Sequence, residues 1–187
     1  AIKDGVEALD SFFGKSGNTM NHSAWAARVT RVTTLGRSLL SEDHPMQRFA
    51  QLSLGVSKMV SLDFHGAVLD FQNILSDPVG FPVSDNEFRG FSMTMLSITL
   101  ALDGRTDEAI FWSKAAFKMA ADQQSSAVVP VSPSQSTGAV DPSFMREFNV
   151  RINYEILTKM LVQQGRLVEA QEVLQMLREK ERSEEHT

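Results

Sequence analysis

Apolar residues recur every three or four positions along nearly the whole of this 187-residue chain, which is the spacing of one face of an α-helix. The chain contains no sustained alternation of apolar and polar residues bounded by hairpin turns, as strands would require. Short stretches rich in Gly, Pro, Ser and Asp separate the segments with helical spacing. The sequence therefore predicts an all-α protein, an α-α superhelix of antiparallel helical hairpins with about eight helices.

The predicted helices fall into four pairs along the chain. Residues 2–40 form a divergent N-terminal pair or cap, and three further pairs occupy residues 46–76, 86–121 and 143–182. Residues 122–142 are biased to Ser, Pro and Gln and lack helical spacing, so we predict a mobile insertion there. All of these segments are expected to belong to one domain over residues 1–187.

Two helix starts carry capping signals. Ser23 is the expected N-cap of the second helix. One face of that helix carries Trp25, Val29, Val32, Gly36 and Leu39. Asp63 is the expected N-cap of the helix that begins at "FHGAVL".

Small residues recur at fixed places in the last three pairs. Each second helix has an early alanine: Ala67, Ala109 and Ala170. In two pairs a glycine lies five residues earlier, at Gly104 and Gly165, where it suits the left-handed residue that ends a helix. Twelve residues before the alanines the side chains are small or modest: Gly55, Ser97 and Thr158. A plain helical bundle is the alternative, but recurrence at matching offsets favours a repeated hairpin.

These marks resemble the tetratricopeptide repeat, which has a small residue where its two helices cross, a glycine in the tight turn and an alanine where the backbones nearly touch. The resemblance implies a scaffold whose first helices line a concave face. The three alanines are 42 and 61 residues apart, whereas the repeat is about 34 residues long. Insertions are therefore expected at "FPVSDNEF" and in the Ser- and Pro-rich segment.

The last pair, with "QQGRLVEAQEVLQML", carries a narrower resemblance. It is similar to the closing repeat of the tetratricopeptide arrays that precede CHAT domains, the caspase-like domains of bacterial multidomain proteins. In this stretch Gly165 is expected to close one helix, and Leu174 and Leu177 are expected to face the core. A CHAT domain uses a His and Cys pair, and this chain has no cysteine, so the resemblance assigns no catalytic residue here.

Residues for catalysis or cofactor binding do not occur in known spacings. The four histidines follow no metal-ligand pattern, the serines lie in no G-x-S-x-G motif, and the glycines form no phosphate-binding loop. His65 lies two residues after Asp63 and could form a dyad with it, but a helix cap beside a surface histidine is the favoured interpretation. We therefore expect a non-enzymatic protein without a cofactor or metal.

The partner-binding surface is predicted from the resemblance, which places outward residues one, four, eight and eleven positions into each first helix. The predicted concave-face residues are Phe49, Leu52, Val56, Met59, Phe91, Thr94, Ile98, Glu155 and Lys159, with Ala101, Ile152 and Val162 at equivalent positions. This set is mostly apolar, so a hydrophobic or helical segment of a protein is the expected ligand.

The sequence thus predicts a protein-protein interaction scaffold, the sensory or adaptor part of a larger bacterial protein. A stand-alone chaperone that shields a hydrophobic secretion subunit is the alternative, and a helical enzyme or cofactor-binding bundle is a more distant one. A net charge of −5 argues against nucleic acid, and no apolar run is long enough for a membrane span. We expect a cytoplasmic protein, although a chain that opens on Ala1 is also compatible with a removed N-terminal signal.

Overall fold

A computed structural model describes residues 22–41, 46–76, 86–126 and 142–185. Within these ranges the chain forms seven helices and no strand. They are α1 (His22–Leu39), α2 (Met46–Val60), α3 (Phe64–Ser76), α4 (Asn86–Leu102), α5 (Thr106–Ser126), α6 (Pro142–Gln163) and α7 (Leu167–Glu185). The predicted all-α fold is confirmed, and residues 2–21 of the predicted N-terminal pair lie outside the described ranges.

The chain divides into two compact units. Helices α1, α2 and α3 belong to the first unit, and helices α4 to α7 belong to the second. The turn Leu102–Gly104 counts with the first unit. That residues 1–187 form a single domain stays a prediction.

In the first unit, small side chains let the helices approach closely. Ser57 of α2 donates its hydroxyl hydrogen to the carbonyl of Ala26 in α1 at 2.7 Å, and Ala26 is buried. On the other side of α2, Gly55 lies so near the ring of Phe71 in α3 that a β-carbon on Gly55 would stand 2.6 Å from ring atom Cε1. Any larger residue at position 55 would therefore have to displace the Phe71 ring.

In the second unit, α4 is buried around its whole circumference. Every residue from Ser92 to Leu100 is buried. The hydroxyls of Ser92 and Thr99 each donate to the carbonyl four residues earlier, which satisfies them inside their own helix. Ser97 instead donates to the carbonyl of Ala109 in α5 at 2.8 Å. The small residue and the alanine predicted to meet at a helix crossing are thus in contact.

The turn between the helices of each hairpin has one repeated geometry. A residue with positive φ lies five positions before each early alanine: Leu62 (65°), Gly104 (82°) and Gly165 (70°). The next residue donates its backbone N–H to the carbonyl five residues earlier in all three turns, at 2.9, 2.9 and 2.8 Å. This pattern is a Schellman-type helix end. The first hairpin therefore shares the turn although its sequence lacks the glycine.

Connections within hairpins and between hairpins differ in length. Three residues join the helices of each hairpin: 61–63, 103–105 and 164–166. Six, nine and fifteen residues join successive elements elsewhere, at 40–45, 77–85 and 127–141. The turns are constant, and the variation in length falls between hairpins.

Three details of the sequence prediction are wrong. Helix α1 begins at His22, so Ser23 lies inside its first turn and is not the N-cap. Helix α5 continues to Ser126, so the first five residues of the predicted insertion are helical, and residues 127–141 lie outside the described ranges. In α7, Leu174 is 40% exposed, and Val173 occupies the core position expected of it. On α1, the sequence did not indicate which way the face with Val32 and Leu39 points, and in the structure Val32 is 71% exposed and Leu39 78%.

Candidate functional site

The first unit places the four predicted concave-face residues of α2 at two different depths. Phe49 is 49% exposed and Val56 is partly exposed. Leu52 and Met59 are buried, Met59 completely. Since a buried side chain cannot touch a partner without rearrangement, Phe49 and Val56 remain as the surface-accessible part of this predicted set.

The second unit also divides the predicted set. Thr94 and Ile98 of α4 are buried, whereas Phe91 and Ala101 at either end of the buried run are partly exposed. On α6, Glu155 and Lys159 are exposed, Val162 is 50% exposed and Ile152 is partly exposed. In this unit, the predicted contact residues that solvent can reach therefore lie mainly on α6.

Thr94 belongs to a buried polar network that the sequence did not reveal. Asn153 of α6 donates from Nδ2 to the Thr94 hydroxyl at 2.7 Å, and Ser113 of α5 donates to Asn153 Oδ1 at 3.4 Å. All three residues are buried. A buried amide with partners on two other helices favours one register of three helices over its alternatives. Thr94 is therefore a packing residue in this structure.

The glycine-arginine segments at two helix starts have a common structural role. Arg105 donates from Nε and Nη2 to the two carboxylate oxygens of Glu108, at 2.7 and 2.6 Å. Arg166 makes the same two-bond contact with Glu169, at 2.7 Å for both bonds. Each pair spans the first turn of a helix. A carboxylate at this place also interacts favourably with the backbone N–H groups that have no partner within the helix. The "GR-x-x-EA" pattern thus starts helices α5 and α7.

Glu169 is the most strongly perturbed acid among the described residues. The hydrogen bonds from Arg166 and from Lys114 of α5, whose Nζ lies 2.7 Å from Glu169 Oε2, lower the pKa of Glu169 from 4.5 to about 2. The hydrogen bond from Arg105 likewise lowers the pKa of Glu108. A carboxylate that two cations hold in its ionised form is a poor general base. This cluster therefore ties α5 to α7 and offers no evident acid-base chemistry.

A second polar chain crosses the first unit. Arg37 of α1 donates to Gln51 of α2 at 2.5 Å, Gln51 donates to Asp70 of α3 at 2.8 Å, and Lys58 lies 2.7 Å from the other oxygen of Asp70. Asp70 is buried. Each charged side chain in this row contacts an opposite charge or an amide, so the row of polar side chains links α1, α2 and α3.

Helix α1 presents an apolar stripe to solvent. Val32, Leu35 and Leu39 are 71%, 62% and 78% exposed, and Arg28 continues the same stripe by one turn towards the N-terminus. The four positions follow the spacing i, i+4, i+7 and i+11 of one helix face. We call Arg28, Val32, Leu35 and Leu39 the α1 stripe. The sequence signal was present, but helical spacing alone does not say whether an apolar face points inward.

Asp63 and His65 have the arrangement that the sequence favoured, a helix cap beside a surface histidine. Asp63 Oδ1 accepts the backbone N–H of Gly66 at 3.0 Å, which confirms Asp63 as the N-cap of α3, and His65 is exposed. Within the described ranges, no group of three or more His, Cys, Asp or Glu side chains is placed to hold a metal ion. Nor does any helix there combine the length and hydropathy needed to cross a bilayer.

Comparison with known proteins gives no further constraint on the site. No protein-family model, no curated protein and no solved structure matches the chain.

Proposed function

We propose that the protein is a non-enzymatic interaction scaffold that binds a peptide or protein segment through the outward faces of the first helices of its hairpins, the concave face of the resemblance. The observation that carries the proposal is Phe49, a large aromatic side chain that is 49% exposed at a predicted contact position of α2. Aromatic side chains, phenylalanine included, are enriched in protein-protein interfaces relative to the rest of the surface. Val56 lies two turns further along α2 and is partly exposed as well.

Helix α6 supports the same proposal through charged side chains, whereas α2 contributes apolar ones. Glu155 and Lys159 are one turn apart and exposed, and Val162 follows at 50% exposure. Arg151 lies 3.3 Å from Glu155, which leaves the Lys159 end of the row as the more basic one. A mixed row of charges beside apolar groups suits an amphipathic segment with an apolar face and at least one acidic side chain.

The test is site-specific photo-cross-linking in the cells that produce the protein. A photoreactive amino acid replaces Phe49 or Lys159 in one set of chains and Phe111 in the control set. Phe111 is a suitable control because it is 65% exposed but belongs to α5, the second helix of a hairpin. We expect one partner to be captured at the two test positions and to be absent at the control position.

The captured partner is then purified and its affinity measured for matched variants. Phe49→Glu is expected to weaken binding by about tenfold or more, as loss of an aromatic contact does, and Phe111→Glu is expected to leave it unchanged. Circular dichroism is used to check that both variants are folded before their affinities are compared. Equal binding by wild type and Phe49→Glu would show that the outward face of α2 does not contact the partner. Equal cross-linking at all three positions would contradict the whole proposed binding surface.

The same experiment separates the two cellular roles. An adaptor in a larger bacterial protein should capture a signalling partner, whereas a chaperone should capture a hydrophobic secretion subunit. Sequencing the gene beyond the codon for Thr187 gives a second check, because the adaptor hypothesis predicts coding sequence for a domain with a His and Cys pair.

A further inference from the structure

The α1 stripe is an apolar row on the described surface that the proposed binding surface does not use. Val32, Leu35 and Leu39 are each more than three-fifths exposed, and they lie on one face of one helix. Single exposed apolar residues are common on folded proteins, whereas a continuous row of them usually marks a contact. The opposite face of α1 is already in use, because Ala26 is buried against α2. A further contact is therefore expected on the outer face of α1.

The charged residues around the stripe all have the same sign. Residues 22–41 contain Arg28, Arg31 and Arg37 and no Asp or Glu, although the whole chain has a net charge of −5. Arg37 is held by glutamine side chains of α2, whereas Arg28 and Arg31 are exposed in or beside the apolar row. Such a face is complementary to a surface that is both apolar and negatively charged.

The exposed part of α1 is also broad and free of obstruction. Apart from the stripe and Arg31, the exposed residues that the structure describes on this helix have small uncharged side chains: Ala24, Ala27, Thr30, Thr34 and Ser38. Together these positions cover about half of the circumference of the helix. A helix that lies in the plane of a membrane interface enters it by about 5–10 Å with its apolar face. The exposed half of α1 has the shape and composition for such a contact.

The size of this face matches a lipid surface better than another protein. Helix α1 has 18 residues, so it is about 27 Å long and about 10 Å wide, and one face measures about 270 Å². A standard protein-protein interface buries about 800 Å² on each partner. Two copies joined through α1 would also present charges of one sign to each other. An anionic bilayer contacts the face as it stands, and each arginine adds to the attraction.

We propose that α1 docks the protein on the surface of a bilayer that contains anionic lipids. The apolar members of the stripe face the acyl chains, and Arg28 and Arg31 bind lipid phosphates. Arginine suits this place because its aliphatic stem lies along apolar groups while its guanidinium makes a two-bond contact with phosphate oxygens. Two arginines and three apolar side chains give a reversible attachment, as a single acyl chain does. Docking holds whether or not the hairpins bind a protein partner.

Co-sedimentation of the full chain with vesicles tests the docking. Vesicles of phosphatidylcholine are compared with vesicles in which phosphatidylglycerol replaces part of it. We expect about thirtyfold stronger binding to the anionic vesicles, because each of two arginines contributes about fivefold, and high salt should remove most of this difference. Arg28→Gln should weaken binding to the anionic vesicles about fivefold and Leu35→Ser about tenfold. The control is Leu69→Ser, which changes a leucine of α3 that is 48% exposed and should leave binding unaltered.

A fluorescent probe locates the contact. Because the chain has no cysteine, Leu35→Cys or Leu69→Cys introduces its only thiol, to which an environment-sensitive dye is attached. Anionic vesicles should shift the emission to the blue at position 35 and not at position 69. Equal binding to both kinds of vesicle, or equal shifts at both positions, would overturn the proposal. Two results without lipid would overturn it as well: much slower labelling of Leu35→Cys than of Leu69→Cys, which shows that the stripe is covered within the chain, or a dimer that Leu35→Ser abolishes, which shows a second copy on it.

Discussion

The same substitution, Gly→Ala, is expected to stabilise the protein in helix α1 and to destabilise it where α2 crosses α3. A Gly→Ala change inside an exposed helix normally stabilises a protein by about 1 kcal/mol, because alanine has the better helix propensity. At Gly36 in α1, a new β-carbon would meet no atom within 4 Å. We therefore expect Gly36→Ala to stabilise the protein by about 1 kcal/mol.

At Gly55 the same β-carbon would lie 2.6, 2.9 and 3.0 Å from three ring atoms of Phe71. Carbon atoms in contact prefer about 3.5–4.0 Å, so the ring must move by about 1 Å. Phe71 has no exposed surface, and moving it displaces its own neighbours, so we take the upper end of the overpacking cost, about 3 kcal/mol. After subtracting the propensity gain, Gly55→Ala should destabilise the protein by about 2 kcal/mol.

Urea unfolding followed by circular dichroism at 222 nm measures both variants. The two should differ by about 3 kcal/mol, with midpoints on opposite sides of the wild-type value. A third variant, Gly55→Ala with Phe71→Leu, should recover part of the loss, because the smaller side chain leaves room for the β-carbon. If Gly55→Ala unfolds at or above the wild-type midpoint, the close crossing and the argument for glycine at this position are both wrong.

Three further perturbations test the turns and caps. Gly165→Ala places a β-carbon on a residue with φ of 70° and should cost about 1–2 kcal/mol of unfolding free energy, measured in urea; an unchanged midpoint would contradict the assigned turn. Asp63→Ala removes the oxygen that accepts the Gly66 N–H, and should cost about 1 kcal/mol in the same assay, whereas Asp63→Asn should retain most of the stability. The pKa of Glu169 is lowered from 4.5 to about 2, so its ionised form stabilises the fold fully above about pH 4.5 and loses that effect as the pH falls towards 2. Thermal unfolding should therefore show a penalty for Glu169→Gln at pH 6 that shrinks at pH 2.5, and a penalty independent of pH would refute the ion pair as its cause.

The sequence predicted a left-handed residue at the two turns that contain glycine and did not reveal the one at the third turn, which has leucine. Gly104 and Gly165 were recognisable because a left-handed residue at a helix end selects glycine. Leu62 has the same conformation at φ 65°. The Asp63 cap that follows begins α3 directly, and the hydrogen bond from Asp63 N to Lys58 O closes α2. Where a helix cap and a helix-end hydrogen bond hold the backbone in place, the residue with positive φ need not be a glycine, and the sequence then gives no sign of it.

Repeat numbering does not separate the exposed residues of the candidate surface from the buried ones, because burial depends on packing between distant segments. Repeat numbering placed Thr94 and Ile98 on an outward face, but α4 is buried on all sides. Asn153, which binds Thr94, lies 59 residues away in the chain, and spacing within one helix cannot reveal such a partner. A usable signal was present nonetheless, because Gly90 to Leu102 contains no charged residue, and a helix without a charged face is typically an interior one.

The three-residue turns give the protein a modular construction. Each hairpin closes with the same hydrogen-bonded reversal over three residues. Length can then change at the joints, here six, nine and fifteen residues, at a small entropic penalty that grows only with the logarithm of the added length. A chain built in this way can lengthen a joint without redesigning a core. The joint at 127–141 is accordingly the place to insert a reporter domain, and the turns at 103–105 and 164–166 are the places to avoid.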